Sequence, residues 1–208
     1  MKKLNLITNT PNDTKTLALK FSTIIINYCV FFYQYCDMII KEFHKVEINF
    51  TKQGGNEMKK LTITTNTPLD TKTLALKFSN ALKEGDVILL HGNLGAGKTT
   101  FVKGLAEGLN IKETVKSPTF NIVKCYFTGK IPFFHIDAYR LEDARYDIGL
   151  DEYIEGNGIC AIEWAKFIDY LLPNDCIEIT VTGEGDSPRN IEILGNEEQI
   201  LRIEKEVM

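Results

Sequence analysis

A chain of 208 residues, 44% hydrophobic and 25% charged, has room for one domain and an appendage. A net charge of -4 and a pI near 5.5 exclude a protein that holds nucleic acid by its own field, which would need clustered Lys and Arg. Five cysteines (Cys29, Cys36, Cys125, Cys160, Cys176), with no C-x-x-C, argue against a disulfide framework and for reduced thiols in a cytosolic protein, and the three histidines show no metal-ligand spacing.

Residues 1–22 and 58–79 are copies of one segment, identical at 18 of 22 positions with an offset of 57. Both open on Met-Lys-Lys, and the likeness stops at Ser22 and Ser79. A structural repeat would continue beyond its first helix. The residues before Met58 include Gln53-Gly54-Gly55, which back-translates to a purine-rich ribosome-binding sequence. Met58 therefore reads as the ancestral start, with residues 1–57 either a fused partial duplicate or the product of a misplaced start codon. This N-terminal extension is expected to be non-catalytic, and residues 58–208 are expected to form the working domain. The apolar stretch 24–40 is short for a membrane span and carries Asn27, Gln34 and Asp37. It reads as an aggregation-prone tail rather than an anchor.

From Met58 onward, Leu61–Thr65 alternates as a strand does. Thr67-Pro68-Leu69-Asp70 has an N-cap, a first-turn proline and a first-turn acid, so a helix starts there. Leu74, Phe78, Ala81 and Leu82 recur at helical spacing, and Gly85 stops the pattern. Val87–Leu90 is a continuous apolar run, as expected of a strand buried on both faces. A helix follows from Lys98 to about Leu109. Ile131–Ile136, Ile159–Ile162, Cys176–Val181 and Ile191–Leu194 are further strand candidates, and the tail from Asn196 is charged and uninformative. Strands alternating with helices predict an α/β domain with a mostly parallel central sheet flanked by helices.

Gly92-Asn93-Leu94-Gly95-Ala96-Gly97-Lys98-Thr99 matches G-x-x-x-x-G-K-[ST] and lies between a strand and a helix, as that motif requires. The glycines let backbone N–H groups turn toward phosphate oxygens, and the helix N-terminus adds its dipole. Lys98 is placed to reach the β- and γ-phosphates and Thr99 to ligate Mg²⁺. No N-K-x-D guanine signature and no LSGGQ signature occur, so ATP is favoured over GTP.

A phosphate loop needs a carboxylate at a neighbouring strand end. Glu163 closes the run Gly158–Glu163, and Asp137 closes Ile131–Asp137. Each could instead be a surface acid capping the next helix. His135 shares the face of Asp137; a hydrogen-bonded structural role is favoured for it over ligation or proton transfer. Trp164 is either core or a cover for the nucleotide. Ser117-Pro118-Thr119-Phe120 suits a loop that senses the γ-phosphate and Mg²⁺, though taken alone it reads as an ordinary Ser-Pro turn.

Taken in order and spacing, G-N-L-G-A-G-K-T-T, V-K-S-P-T-F, H-I-D-A-Y-R-L, G-L-D-E-Y and I-E-W closely resemble the TsaE (formerly YjeE) family, over about Met58 to Leu194. The resemblance implies a small, cytoplasmic P-loop domain. Gly92, Gly95, Ala96, Gly97, Lys98, Thr99 and Thr100 would hold ATP, and Thr99 and Glu163 would bind Mg²⁺. Asp137 would be the essential acid of hydrolysis, with Lys98 beside it as a catalytic cation. Ser117, Pro118, Thr119 and Phe120 would be the switch. Trp164 and Arg189 would lie near the nucleotide. It implies a weak ATPase acting with the TsaB–TsaD pair in threonylcarbamoylation of the tRNA adenosine at position 37, meeting tRNA only indirectly and without a membrane role. Two features depart from the pattern: Ala165 and Lys166 stand where many relatives have an acid, and the extension is foreign to it. A P-loop small-molecule kinase and a non-hydrolysing nucleotide-dependent docking protein are the competing readings; sparse arginine and the lack of a lid segment weigh against the kinase.

Overall fold

The computed structural model describes residues 46–53, 56–142 and 148–208, with side chains from Met58 onward. These lie in one compact unit, His44–Met208. The duplicated segment 1–22, the apolar stretch 24–40, Cys29 and Cys36 fall outside the described residues. Among the described residues no helix is long and apolar enough to cross a membrane.

The strands are β1 (Val46–Gln53), β2 (Asn56–Thr65), β3 (Val87–His91), β4 (Val123–Tyr126), β5 (Phe133–Asp137), β6 (Ile159–Glu163), β7 (Ile177–Thr182) and β8 (Arg189–Asn196). The helices are α1 (Pro68–Ser79), α2 (Lys98–Gly108), the single turn α3 (Asp151–Ile154) and α4 (Glu197–Val207), with 3-10 turns at Ala138–Leu141, Ala165–Phe167 and Asp169–Leu171. All strands join one sheet in the order β1-β2-β8-β7-β3-β6-β5-β4.

The parallel sheet expected from the alternating pattern is its centre, where β7, β3, β6 and β5 pair parallel. The flanks are antiparallel, through β1–β2, β2–β8, β7–β8 and β4–β5. Alternation of strands and helices does not show these flanks: β1–β2, β4–β5 and β7–β8 pair consecutive strands with no helix between them, and β2–β8 joins strands remote in the chain. β8 returns to β2 from the far end of the domain. The strand expected at Leu61–Thr65 begins earlier, at Asn56, and the end of the N-terminal extension pairs along it as β1.

The sheet separates two apolar layers. On one side Ile88, Leu90, Ile179, Val181, Ile191 and Ile193 pack under Leu74 and Phe78 of α1, Phe101 and Leu105 of α2, and Ile200 and Ile203 of α4. On the other side Val87, Leu89, Phe134, Ile136, Cys160 and Ile162 pack under Leu141, Leu150, Ile154 and Ile168. Alternate residues of β3 thus serve alternate cores, which is why its sequence is an unbroken apolar run. Helix α1 starts as expected: Thr67 caps it, and Thr67 and Asp70 form a reciprocal capping box. Helix α4 was not anticipated from the charged tail, although Asn196 and Gln199 form the same device at its start.

Candidate functional site

β3 delivers the chain to the C-terminal edge of the parallel strands, where ligands gather in open α/β sheets. There the loop turns on Gly92, Gly95 and Gly97, all with positive φ (138°, 80° and 116°). A Cβ on Gly92 would also collide with the carbonyl of Val181. Gly97 is the N-cap of α2 and supplies no side-chain oxygen to its first turn. The N-terminal N–H groups of α2 therefore look to an external acceptor, the condition an anion site requires. Lys98, 6% exposed, folds back so that Nζ donates to the carbonyls of Gly92 (2.8 Å) and Asn93 (3.1 Å).

The two acids end neighbouring strands, in register as Cα partners. Both are buried, at 3% for Asp137 and 5% for Glu163. Asp137 Oδ2 accepts hydrogen bonds from Thr119 (2.8 Å) and Ser117 (3.4 Å), while Oδ1 accepts from the backbone N–H of Tyr139 (3.1 Å). Glu163 Oε1 lies 3.0 Å from Nε2 of His135, and Oε2 lies 3.9 Å from Nζ of Lys98. Asp137 does cap the following 3-10 turn through Tyr139, so the capping role and the site coexist in one carboxylate.

The segment Ser117–Phe120 is tied to this acid at one end and to Arg140 at the other. Arg140 Nε donates to the Thr119 carbonyl (2.6 Å) and its guanidinium sits 4.8 Å from the Phe120 ring centroid. Ile122, just beyond, has φ 63° and passes its carbonyl to the N–H of Asp137. A β-branched residue in the left-handed region is a strained one, and here the strain lies between the segment and the acid it holds.

Trp164 also has positive φ (60°), so the chain turns sharply as it leaves Glu163. Its ring lies 5.1 Å from that of Tyr139 and 5.6 Å from Nζ of Lys98. Where an acid was noted as missing, Ala165 is buried and Lys166 lies over the Trp164 and Phe167 rings.

Cavities flank the loop, and two of them reach the residues beyond it. One, of about 620 Å³, is lined by Gly95, Gly97, Lys98, Thr99, Thr100, Ser117, Thr119, Asp137, Glu163 and Trp164 among the residues expected from the sequence, together with Tyr139 and Leu94. The other, about 450 Å³, shares Gly95, Gly97 and Thr100 and extends to Asn66, Thr67, Thr71, Ser187 and Arg189. Gly92 and Ala96 contribute backbone, while Pro118 is buried and Phe120 is 84% exposed outside the first cavity. Arg189 donates to the carbonyls of Ala96 (2.8 Å), Gly185 (2.8 Å) and Ser187. Its guanidinium thus braces the loop from β8. The wall formed by Asn66–Thr71 went unrecognised, because Thr67-Pro68 was legible only as a helix start.

The family described as "Threonylcarbamoyl adenosine biosynthesis protein TsaE" matches residues 65–191, more than half of the chain and every residue named above from the phosphate loop to Arg189. The chain belongs to the TsaE family. It is 47% identical over 146 residues to the tRNA threonylcarbamoyladenosine biosynthesis protein TsaE of Bacillus subtilis, covering 69% of this chain and 92% of that one. It is 40% identical over 126 residues to TsaE of Treponema pallidum, covering 60% and 93%. The crystal structure of Bacillus subtilis YdiB superposes with a TM-score of 0.62 at 39% identity, covering 72% of this chain and 95% of that chain. The TsaE match begins at the last residue of β2, so β1 and most of β2 lie outside it.

Proposed function

We propose that residues 58–208 bind ATP with Mg²⁺ and hydrolyse it, slowly when alone, as the ATPase of tRNA threonylcarbamoyladenosine biosynthesis. The observation that carries this is the convergence of Lys98, Thr99, Asp137 and Glu163 on one cavity at the C-terminal edge of the parallel strands.

The residues suit the ligands. The loop of three positive-φ glycines and the uncapped start of α2 fit a polyphosphate. The larger cavity takes the phosphates, and the smaller one, walled by Asn66, Thr67 and Ser187, takes the nucleoside. Thr99 and Glu163 offer the hard oxygens that Mg²⁺ prefers. When bound, Mg²⁺ neutralises charge on the phosphates. Lys98 leaves the Gly92 and Asn93 carbonyls for the β- and γ-phosphates, bringing a cation already held in place. Asp137 orients the attacking water or takes its proton, and Thr119 and Ser117 link that carboxylate to the switch segment. Trp164 and Tyr139 cover the site, and Arg189 holds the loop from behind.

The partners in this reading are the TsaB–TsaD pair. The protein works in the cytoplasm and meets tRNA through that pair, in keeping with a net charge of -4. The test is ATP hydrolysis by the full chain, alone and with the TsaB–TsaD pair. A slow rate that the pair raises supports the proposal. Bound ATP with no single-turnover hydrolysis in either case would leave a nucleotide-dependent docking protein, and phosphoryl transfer to an added small molecule would make it a kinase.

A further inference from the structure

His135 is a fully buried polar side chain, 0% exposed, in a strand that is otherwise apolar up to Asp137. It lies two residues from Phe133, on the sheet face that α1 and α2 cover. Nε2 lies 3.0 Å from Glu163 Oε1, and Nδ1 has no hydrogen-bond partner among the described residues. Buried polar atoms are nearly always paired, so a histidine kept only to stitch the fold would be expected to use both ring nitrogens. This one makes a single bond, to a carboxylate at the site. A carboxylate can only accept, so the proton sits on Nε2 and points at Oε1.

The other oxygen of Glu163 faces Lys98 Nζ across 3.9 Å. A small rotation of the glutamate would close that gap into a direct ion pair. Lys98 would then be drawn from the Gly92 and Asn93 carbonyls, and both oxygens of Glu163 would be committed. The bond from His135 opposes that rotation.

We infer that His135 is a positioning residue: it fixes one oxygen of Glu163 so that the other stays free for a divalent cation instead of collapsing onto Lys98. This rests on the reading of Glu163 as a metal ligand. Outer partners that orient a ligating group change metal affinity by about 10- to 100-fold when lost.

The test uses the full chain and its single tryptophan, Trp164, whose ring lies 5.6 Å from Lys98 Nζ and so reports loading of the site. Mg²⁺ is titrated in the presence of a non-hydrolysable ATP analogue, and the half-saturating Mg²⁺ concentration is read from Trp164 fluorescence. His135→Phe should raise it by about 10-fold or more, with analogue binding in the absence of Mg²⁺ little changed. His135→Gln can place an amide N–H where Nε2 was and should stay close to the parent. His135→Asn reaches only the Nδ1 position and should behave like His135→Phe. A His135→Phe chain that is folded by thermal melt and keeps the parent's Mg²⁺ midpoint overturns the inference. If that variant does not fold, equal midpoints for His135→Gln and His135→Asn overturn it instead. Glu163→Gln separates the two levels. A Mg²⁺ midpoint unmoved by Glu163→Gln defeats the reading of Glu163 as a ligand. One moved by Glu163→Gln but not by His135→Phe defeats only the role given to His135.

Discussion

Asp137 and Glu163 stand opposite each other on adjacent parallel strands, yet their carboxylates serve different neighbours. Asp137 is held by the hydroxyls of Thr119 and Ser117, and Glu163 by His135 while it faces Lys98. The segment Ser117–Phe120 is therefore tied to one acid, and Lys98 of the loop faces the other. Substitution should separate their effects. Asp137→Asn keeps the size of the side chain and removes its charge. Turnover should fall by about 100-fold or more, with analogue affinity nearly unchanged. Steady-state hydrolysis beside a binding titration checks this, and unchanged turnover removes Asp137 from the chemistry.

Lys98→Ala should weaken ATP binding by about 10-fold or more, because it removes a buried cation beside the loop. It also removes the ammonium that faces the buried carboxylate of Glu163 across 3.9 Å. Calorimetric titration with ATP would measure the effect, and an unchanged Kd would contradict the role given to Lys98.

Gly104 offers a test of packing away from the chemistry. It lies mid-helix in α2, where Gly→Ala at an open position gains about 1 kcal/mol. Here a Cβ would meet the carbonyl of Lys72 and the methyl of Ala75 on α1, the latter at 2.7 Å. The sign should therefore reverse: Gly104→Ala should destabilise by about 1–3 kcal/mol, read from the urea midpoint. A stabilised variant would show that the two helices are not in this close contact.

Burial pushes the Cys176 thiol up to about 12, with Asp175 and Glu178 adding to it, and pushes Cys160 higher still. Both should resist alkylation in the native protein at pH 8, which peptide mass mapping can follow. The folded state keeps these protons after the unfolded chain has lost them, so stability should fall as pH rises from about 9 toward 12. Labelling of Cys160 in the native protein as fast as in urea would contradict the burial.

The sequence made the phosphate loop, β3 and β6, the capped start of α1, and both acids legible, because each is written in consecutive residues. What escaped it depends on long-range pairing. The partner of His135 is set by the β5–β6 register, and the brace from Arg189 to Ala96 joins β8 to the loop. β4 is only four residues long and half-buried, too short to show alternation. The positive φ of Ile122 and Trp164 goes against their residue types, so only tertiary structure reveals it. Helix α4 was readable from Asn196 and Gln199 but lay hidden among charges.

The place of β8 in the sheet has a consequence for how the protein is made. This strand sits between β7 and β2, and its first residue steadies a loop that begins at Gly92. A ribosome finishes the phosphate-loop motif long before it reaches Arg189. Until then the loop lacks its brace, β2 lacks the neighbour that ties it to the sheet, and the smaller cavity lacks the wall that Arg189 completes. Pairing between segments so far apart in the chain is slow to form. A chain cut short before β8 therefore has every residue that lines the larger cavity but lacks the Arg189 brace and the last wall of the smaller one.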